Sequence, residues 1–363
     1  MLRTLGARGF AAPTASIEWH ADVVPADRAA AAAARERIDN LTKPVRSLGR
    51  IEDLAVQLCS ITGGIPAHAF ERRAILIGAG DHGVADERVS AYPAEVTGQM
   101  VGGFLAESAA INAFARAVRS DVFVVDFGMR ARPAAHKRLL EAHCGDGTAN
   151  LAHGPAIPRE RVDIVVGVGA EIFDAVSQYD IVALGEMGIG NTTSAAAIVA
   201  AFTGRNASEV VGRGTGIDDA RLARKTTVVE RALRRVAPHD WRSIASEVGG
   251  YEIIGLAGVI LGSAHRRIPI VLDGYIVAAA ALIARAIAPA SIEYCIAAHR
   301  SREPGHRIAL EALGLQPLLE LDLALGEASG AALALPLVEA AARMVREMKT
   351  FEEAGVATGA ATS

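Results

Sequence analysis

The sequence contains few cysteines, and none of them is placed for a disulfide framework or a zinc site. Cys59, Cys144 and Cys295 lie far apart in the 363 residues and form neither a CxxC pair nor a Cys/His cluster. Disulfide-rich scaffolds and structural zinc sites depend on such close spacings. The cysteine pattern therefore fits a reducing compartment, and the cytoplasm is the predicted location.

Aromatic residues and one-sided charge are also scarce. Aromatic residues make up 4% of the chain and hydrophobic residues 51%, which predicts one large or two coupled globular domains with a core of Ala, Val, Ile and Leu. The 37 basic and 41 acidic residues are mixed along the chain and give a formal net charge of -4. No basic stripe offers the counterion release that nucleic-acid binding needs, so nucleic acid is not a predicted partner.

No apolar run is clean enough to cross a membrane. The most apolar stretch, 253–287, is interrupted by Arg266, Arg267 and Asp273, which a span of about 20 apolar residues would not accept. We therefore predict buried core in this stretch and no membrane span.

The two chain ends lack the features of targeting segments and of packed structure. Residues 1–20 have no apolar core of signal-peptide length, so a flexible leader is predicted there. The last residues are small and polar, and a flexible tail is predicted over 356–363.

The sequence does contain a regular alternation of short β-branched runs with Ala-rich helical stretches. This alternation is typical of an α/β fold with a doubly wound, mainly parallel, Rossmann-like sheet. The predicted strands are 74–78, 121–128, 180–185, 268–274 and 291–299. Helical periodicity is clearest at 27–39, 50–60, 94–117, 220–236, 275–288 and 330–349.

The first two and the last of these helices lie outside the region that carries the strands. They predict a second, smaller helical domain built from both chain ends, 21–60 together with 328–355. The large Rossmann-like domain is predicted over 61–327. No internal repeat is present.

Polar loops follow the predicted strands, at the edge where open parallel sheets bind their ligands. Because loops at such an edge commonly carry function, these segments are the predicted location of a site. They span 78–100, 185–195, 273–275 and 299–306.

The turn after the third predicted strand combines glycines with residues that can cap a helix. Gly185, Gly188 and Gly190 allow close approach of the backbone. Asn191, Thr192 and Thr193 can cap the helix that follows. Free N–H groups at a helix N-terminus would hold a phosphate without a metal, so an anion cradle is one interpretation. An ordinary strand-to-helix turn explains the same residues equally well.

Lys225 and Glu327 each have two interpretations. Lys225 ends a second glycine-rich loop, 212–225, where its ammonium group could contact a phosphate or could belong to a solvated helix face. Glu327 lies between a strand-like run and a long Ala-rich helix. A carboxylate there complements the positive end of the helix dipole, and position alone favours that role.

Histidines and strand-end aspartates offer further chemistry. His82, His299 and His306 lie on separate loops without the close spacing of metal ligands, so no metal site is predicted. Asp81 and Asp273 end strands and could bind ribose hydroxyls, although an aspartate in this place more often caps the next turn.

Together these segments resemble the nicotinate-nucleotide:dimethylbenzimidazole phosphoribosyltransferases of the cobalamin nucleotide-loop pathway, from about residue 38 to residue 355. Seven ordered blocks make the resemblance far more specific than a lone glycine motif. They are LTKPVRSLGRIEDLA (41–55), GDHGVADERVSAYPAEVT (80–97), GEMGIGNTTSAAA (185–197), GRGTGIDDARLARK (212–225), LDGYIVAAAA (272–281), AHRSREPGH (298–306) and LGEASGAALA (325–334).

The resemblance implies a homodimer with active sites near the subunit interface, and it implies site residues. A glutamate in the block 325–334 is the general base of such enzymes, and Glu327 occupies its place. Residues implied to line the base pocket are Ser90, Tyr92, Gln99 and Leu325. Residues implied to contact the phosphoribosyl group and nicotinate are Glu186, Gly188, Gly190, Asn191, Thr192, Lys225 and Ser301. No cofactor is implied.

Two departures from the family pattern stand out. Val45-Arg46 replaces the usual Pro-Gly, and Ala328-Ser329 replaces the usual Gly-Thr after the glutamate. Neither change removes a chemical group. The methyl group of Ala328 could narrow the base pocket, which leaves the preferred base open.

The implied reaction moves ribose 5-phosphate from nicotinate mononucleotide to a benzimidazole base, with inversion at the anomeric carbon. A helix N-terminus would keep Glu327 ionised and ready to accept the proton of the base. Two alternatives remain. A nucleotide-dependent oxidoreductase shares the fold but should show a GxGxxG fingerprint, which the chain lacks. A non-catalytic nucleotide-binding protein would not require a proton acceptor.

Overall fold

The computed structural model describes residues 23–214 and 216–357. The predicted leader at 1–20 and most of the predicted tail at 356–363 lie outside the described residues. None of the described helices is long and apolar enough to span a membrane.

The described residues form one six-stranded sheet with all neighbouring strands parallel. The strands are β1 Arg73–Gly80, β2 Ser120–Gly128, β3 Leu139–Glu141, β4 Ile181–Met187, β5 Ile270–Leu272 and β6 Cys295–Ala297. Their order across the sheet is β3-β2-β1-β4-β5-β6. This is the doubly wound order, and the predicted fold class is confirmed.

Helices flank the sheet and follow most strands. They are α1 Arg28–Asp39, α2 Arg50–Thr62, α3 Val96–Leu105, α4 Ala110–Ala117, α5 Arg159–Ile172, α6 Asn191–Thr203, α7 Ala207–Val210, α8 Asp219–Leu233, α9 Trp241–Val248, α10 Tyr251–His265, α11 Tyr275–Ile287, α12 Pro304–Leu313, α13 Ser329–Glu347 and α14 Phe351–Ala354. Short 3-10 turns occupy Gly83–Glu87, Phe173–Val176 and Pro289–Tyr294.

Both faces of the sheet are covered, because successive strand residues point to opposite sides. All eight residues of β1 are buried. Leu76 packs in one apolar layer with α5, α10 and α11. Ile75 and Ile77 pack in the other layer with α2 and α13. Strands covered on both faces carry continuous apolar runs, which is why their positions could be predicted.

The helices from the two chain ends pack against one another. Arg37 Nη1 lies 3.2 Å from Glu353 Oε1, and Leu41 forms an antiparallel bridge with Thr350. Leu335 of α13 belongs to the same apolar layer as β1. A small domain made from both ends stays a prediction.

Two predicted elements need correction. The helix predicted over 94–117 is interrupted between α3 and α4, where Glu107 has a left-handed backbone with φ 59° and the N–H of Ala109 donates to Asn112 Oδ1. The strand predicted over 291–299 begins as a 3-10 turn opened by Pro289, and only Cys295–Ala297 pairs with the sheet. Local backbone chemistry therefore divides the predicted helix and delays the start of the predicted strand.

Candidate active site

The loops after β1 and β4 meet at the centre of the sheet. Strand order runs outward in opposite directions from these two neighbours, which places a crevice at their carboxyl ends. The Oγ1 of Thr97 accepts a hydrogen bond of 3.1 Å from the N–H of Ile189, and a Cβ added to Gly190 would lie 3.2 Å from Val84. The two polar loops therefore form one continuous wall.

Glu186 is the penultimate residue of β4, and its carboxylate is buried in this crevice. Asn191 Nδ2 donates a hydrogen bond to Glu186 Oε2, and a Cβ on Gly326 would stand 2.5 Å from Glu186 Oε1. The turn after β4 and the segment before α13 thus converge on this side chain. Burial, with other carboxylates nearby, raises the pKa of Glu186 to about 8.

The turn before α6 leaves the start of the helix open. Gly190 is the N-cap residue with φ 97°, and no described side chain accepts a hydrogen bond as its cap. The side chains of Asn191 and Thr192 bond elsewhere, so the capping role predicted for them is wrong. The N–H groups of Asn191 and Thr193 donate to the carbonyls of Gly188 and Gly190, so what the turn offers an anion is the positive end of the helix dipole without a competing side-chain cap.

Lys225 is buried between the two glycine-rich loops, with 1% of its surface exposed. Its Nζ donates to Thr192 Oγ1 at 2.8 Å and to the carbonyl of Gly212 at 3.1 Å. Burial lowers the pKa of Lys225 to about 8. The alternative of a solvated helix lysine is therefore wrong.

Glu303 lies beside Lys225 and was not singled out from the sequence. Its Oε1 accepts a hydrogen bond of 2.8 Å from the N–H of Gly214, while its Oε2 is buried without a hydrogen-bond partner among the described residues. Its charge acts against the lowering of the lysine pKa. The only signal for Glu303 in the sequence is its position in the polar loop 299–306, which follows a predicted strand.

Glu327 is held in a rare backbone conformation. Gly326, Glu327 and Ala328 have φ values of 82°, 60° and 62°. For a residue other than glycine, this region costs on the order of 1–3 kcal/mol and is found mostly where function demands it. Glu327 is 6% exposed, and its Oε2 has no hydrogen-bond partner within residues 23–214 and 216–357.

Asp273, at the end of β5, caps the helix that Glu327 was expected to complement. Its Oδ1 accepts a hydrogen bond of 2.9 Å from the N–H of Ala331 in the first turn of α13. Burial raises the pKa of Glu327 to about 7, an effect that opposes the expected stabilisation of its ionised form by the helix N-terminus. A carboxylate with a pKa near neutrality is suited to exchanging protons.

Replacing Glu186 with Gln is expected to flatten the dependence of stability on pH. The pKa of Glu186 rises from 4.5 to about 8 on folding, so the folded chain keeps a proton that the unfolded chain releases. This contribution to stability is complete below about pH 4.5 and is lost as the pH rises through about 8. The melting temperature of the wild type should therefore fall more than that of Glu186→Gln between about pH 5 and about pH 9.

Calorimetry of both proteins across this pH range checks the expectation. Glu320→Gln changes an exposed glutamate and should follow the wild type. Equal slopes for the wild type and Glu186→Gln would contradict a protonated, buried Glu186.

Two of the histidines considered as metal ligands organise neighbouring side chains. The N–H of Ser301 donates to His306 Nδ1 at 3.0 Å. Burial, with His299 nearby, lowers the pKa of His306 to about 3, so its ring is neutral and can accept this hydrogen bond. The Nε2 of His299 lies 3.6 Å from Asp273 Oδ1.

His82 is separate from these two histidines and pairs with Glu252. Its Nε2 lies 2.7 Å from Glu252 Oε1, and both side chains are fully buried. A Cβ on Gly188 would lie 3.2 Å from each of them. Across residues 23–214 and 216–357, no three His, Cys, Asp or Glu side chains group as a metal requires, and a metal-free site remains a prediction.

The Asp81 carboxylate is engaged in a hydrogen bond within the protein. Its Oδ2 accepts a hydrogen bond of 2.8 Å from the N–H of Arg130, and its carbonyl accepts one of 2.9 Å from the N–H of Thr148. These bonds tie the end of β1 to the loops that follow β2 and β3. The Asp81 side chain thus bonds to a distant loop and not to the turn that follows β1, so the turn-capping alternative is not what the structure has.

The residues predicted for the base pocket are exposed or only partly buried. Tyr92 is 53% exposed and Leu325 52% exposed. Gln99 on α3 is exposed, whereas Ser90 is partly buried and accepts a hydrogen bond from the N–H of Tyr92 at 3.3 Å. Two large apolar side chains are thus left uncovered in the single chain.

Ala328, by contrast, is fully buried, and a Cβ added to Gly185 on β4 would collide with it. The expectation that its methyl group narrows the base pocket therefore finds no support.

Comparison with known proteins decides which family this crevice belongs to. A family model described as phosphoribosyltransferase matches residues 23–356. The nicotinate-nucleotide–dimethylbenzimidazole phosphoribosyltransferase of Chloroflexus aggregans is 51% identical over 336 residues, which cover 92% of this chain and 95% of that protein. The chain belongs to this phosphoribosyltransferase family.

Further relatives of the phosphoribosyltransferase family agree along almost the whole chain. The enzyme of the same name from a Roseiflexus species is 50% identical, covering 93% of this chain and 97% of the relative. The crystal structure of CobT from Thermus thermophilus superposes with a TM-score of 0.88 at 47% identity, covering 91% of this chain and 100% of that chain. The family resemblance predicted from seven sequence blocks is confirmed.

Proposed function

We propose that this chain transfers the ribose 5-phosphate of nicotinate mononucleotide to 5,6-dimethylbenzimidazole or a related base. The products are α-ribazole 5′-phosphate and nicotinate, as in synthesis of the cobalamin lower-ligand nucleotide loop. Relatives of this name at about 50% identity support the substrate pair. The observation that carries the chemistry is the buried Glu327 carboxylate, which has a pKa of about 7 and an unpaired oxygen in the crevice.

The proposed reaction is a single displacement at the anomeric carbon. One ring nitrogen of the base forms a bond to C1 of the ribose, the bond from C1 to nicotinate breaks, and its electron pair returns to the pyridine nitrogen. The proton on the other ring nitrogen passes to Glu327. General-base assistance of this kind contributes about 10²- to 10⁴-fold. The quaternary pyridinium is already a good leaving group, so no strong acid is needed.

The donor phosphate is proposed to bind where the two glycine-rich loops meet. The positive end of the α6 dipole, which has no side-chain cap, and the ammonium group of Lys225 supply positive potential there. Thr192 Oγ1 lies beside the same ammonium group. Fixing the phosphate holds C1 in place for the attacking nitrogen and makes the reaction nearly unimolecular.

The other residues implied for the donor are proposed to act from the floor and the β6 side of the crevice. Glu186 and Asn191 bond to each other at its floor, next to Gly188. Ser301 is fixed by His306 on the β6 side. We propose that these groups orient the ribose and nicotinate, with a protonated Glu186 able to donate a hydrogen bond.

The base is proposed to bind against Ser90, Tyr92, Gln99 and Leu325 in a homodimer. The large exposed fractions of Tyr92 and Leu325 leave this side of the crevice open in one chain. A second copy would cover the apolar side chains and exclude water from the reacting atoms. Cytoplasmic location is proposed with the same assignment.

The oxidoreductase alternative lacks structural support. The first loop, GAGDHG, leads into the 3-10 turn Gly83–Glu87 instead of the helix N-terminus that holds a dinucleotide pyrophosphate. A binding protein without activity would gain nothing from the strained Glu327 backbone.

Incubating the purified chain with nicotinate mononucleotide and a panel of benzimidazoles tests the proposed function. Mass spectrometry should detect a ribotide of the accepted base and an equal amount of nicotinate. Adenine in place of the benzimidazole controls for nonspecific transfer. Release of nicotinate without any ribotide would indicate hydrolysis and would contradict the proposal.

A further inference from the structure

A second polar cavity, of about 540 Å³, lies outside the crevice near the end of β2. Its walls are the loop after β2, with Arg132, the loop 143–146 after β3, the start of α5, with Arg161, and Tyr251, the first residue of α10. None of these residues belongs to the proposed substrate site. The cavity therefore needs its own explanation.

Three hydrogen-bond donors of this cavity are wholly or partly unused. Arg132 forms no hydrogen bond or ion pair with any described residue, and Arg161 uses only Nη1, which donates to the carbonyl of Cys144 at 2.7 Å. The hydroxyl of Tyr251 has no partner among the described residues. Burial raises the pKa of Tyr251, which keeps this hydroxyl protonated.

The acidic groups nearby are already engaged by His143. Its Nδ1 lies 3.2 Å from Asp126 Oδ2, and its Nε2 lies 3.0 Å from Asp146 Oδ1. Arg132 and Arg161 are thus left without a carboxylate partner inside the described chain. Positive charge in the cavity exceeds negative charge, since these arginines face only Asp146 among its lining acids.

We propose that this cavity is a second anion site that takes a phosphate monoester. The planar fork of arginine matches the oxygen atoms of a phosphate, and two such forks can hold it from opposite sides. The Tyr251 hydroxyl supplies a third donor. The volume leaves room for a sugar or ring attached to the phosphate.

The cavity is joined to the substrate crevice through the first turn of α10. Tyr251 lines the cavity. The adjacent Glu252 has its Oε1 2.7 Å from His82 Nε2, and both side chains lie next to Gly188 of the substrate crevice. Binding at Tyr251 therefore stabilises the turn that holds Glu252. Amide hydrogen exchange in this turn should slow when the cavity is occupied.

Calorimetric titration with inorganic phosphate tests this site. The titration uses the Lys225→Ala variant, because that substitution removes the proposed lysine contact to phosphate in the substrate crevice. This chain should still bind phosphate. Adding Arg132→Gln and Arg161→Gln should weaken binding at least tenfold and abolish the slowing of exchange at Tyr251. Adding Arg231→Gln instead, which changes an arginine on α8 away from the cavity, should leave both results unchanged.

Circular dichroism and melting curves should be used to check that each variant is folded. Tyr251→Phe is a milder second variant, because it removes only the hydroxyl group. It should weaken phosphate binding severalfold. Failure of the Lys225→Ala chain to bind phosphate would overturn the proposal. So would binding that the two arginine substitutions leave unchanged. Neither result would affect the proposed transferase reaction.

Discussion

Glu327→Gln is expected to keep its fold and its affinity for nicotinate mononucleotide while losing about 10²- to 10⁴-fold in turnover. Glutamine preserves the size of the side chain but cannot accept the proton of the base. The wild-type carboxylate has a pKa of about 7, so its rate should rise with pH through about 7 as Glu327 becomes ionised. Single-turnover measurements of both proteins across this pH range test the expectation.

Glu320→Gln is the matched control for this substitution. Glu320 precedes Glu327 in the same loop region but is exposed and paired with Arg300. Its variant should react at the wild-type rate. If Glu327→Gln also reacts at that rate, Glu327 is not the general base.

Lys225→Ala is expected to weaken the binding of nicotinate mononucleotide about 10- to 100-fold, because hydrogen bonds to charged groups contribute about 1.5–3 kcal/mol. The buried ammonium group stands between Thr192 and Gly212, where the donor phosphate is proposed to lie. The effect should appear in the dissociation constant of the donor more than in the rate of the bound complex. Equilibrium binding and single-turnover rates separate the two.

Arg224→Gln controls for general loss of positive charge on α8. Arg224 is the exposed neighbour of Lys225, and its removal should leave donor affinity within about twofold. An unchanged donor dissociation constant in Lys225→Ala would remove this lysine from the proposed phosphate site.

The sheet could be predicted from the sequence because its strands are covered on both faces. Continuous apolar runs such as 74–78 and 121–128 mark strands whose side chains have no solvent side. β3 escaped prediction because only the first of its three residues, Leu139, is buried, so no apolar run marks it. α10 was predicted only as buried core, since a helix buried almost all around has no polar face to reveal its period.

The site was less visible in the sequence than the fold. The family blocks pointed to Glu327 and Lys225, but their burial depends on segments far away in the chain. Lys225 is enclosed by the loops at 190–192 and 212–214. The partnership of His82 with Glu252 joins residues 170 positions apart, which no local pattern could show.

The ionisation of Glu327 could not be predicted from its place beside a helix. A helix N-terminus favours a charged carboxylate, yet Asp273 takes the capping position and burial dominates at Glu327. The left-handed backbone at 327–328 could not be expected either. Glycine favours this conformation, but the residue after Glu327 is Ala328 where the family pattern has glycine. The strained residues lie directly before the first turn of α13.

The anomeric configuration of the product tests the central claim most directly. The purified chain is incubated with nicotinate mononucleotide and 5,6-dimethylbenzimidazole, and the ribotide is analysed by nuclear magnetic resonance. Inversion by direct displacement predicts an α-linked ribotide formed in equal amount with nicotinate. A β-linked ribotide, or no ribotide under conditions where the folded chain binds both substrates, would contradict the account.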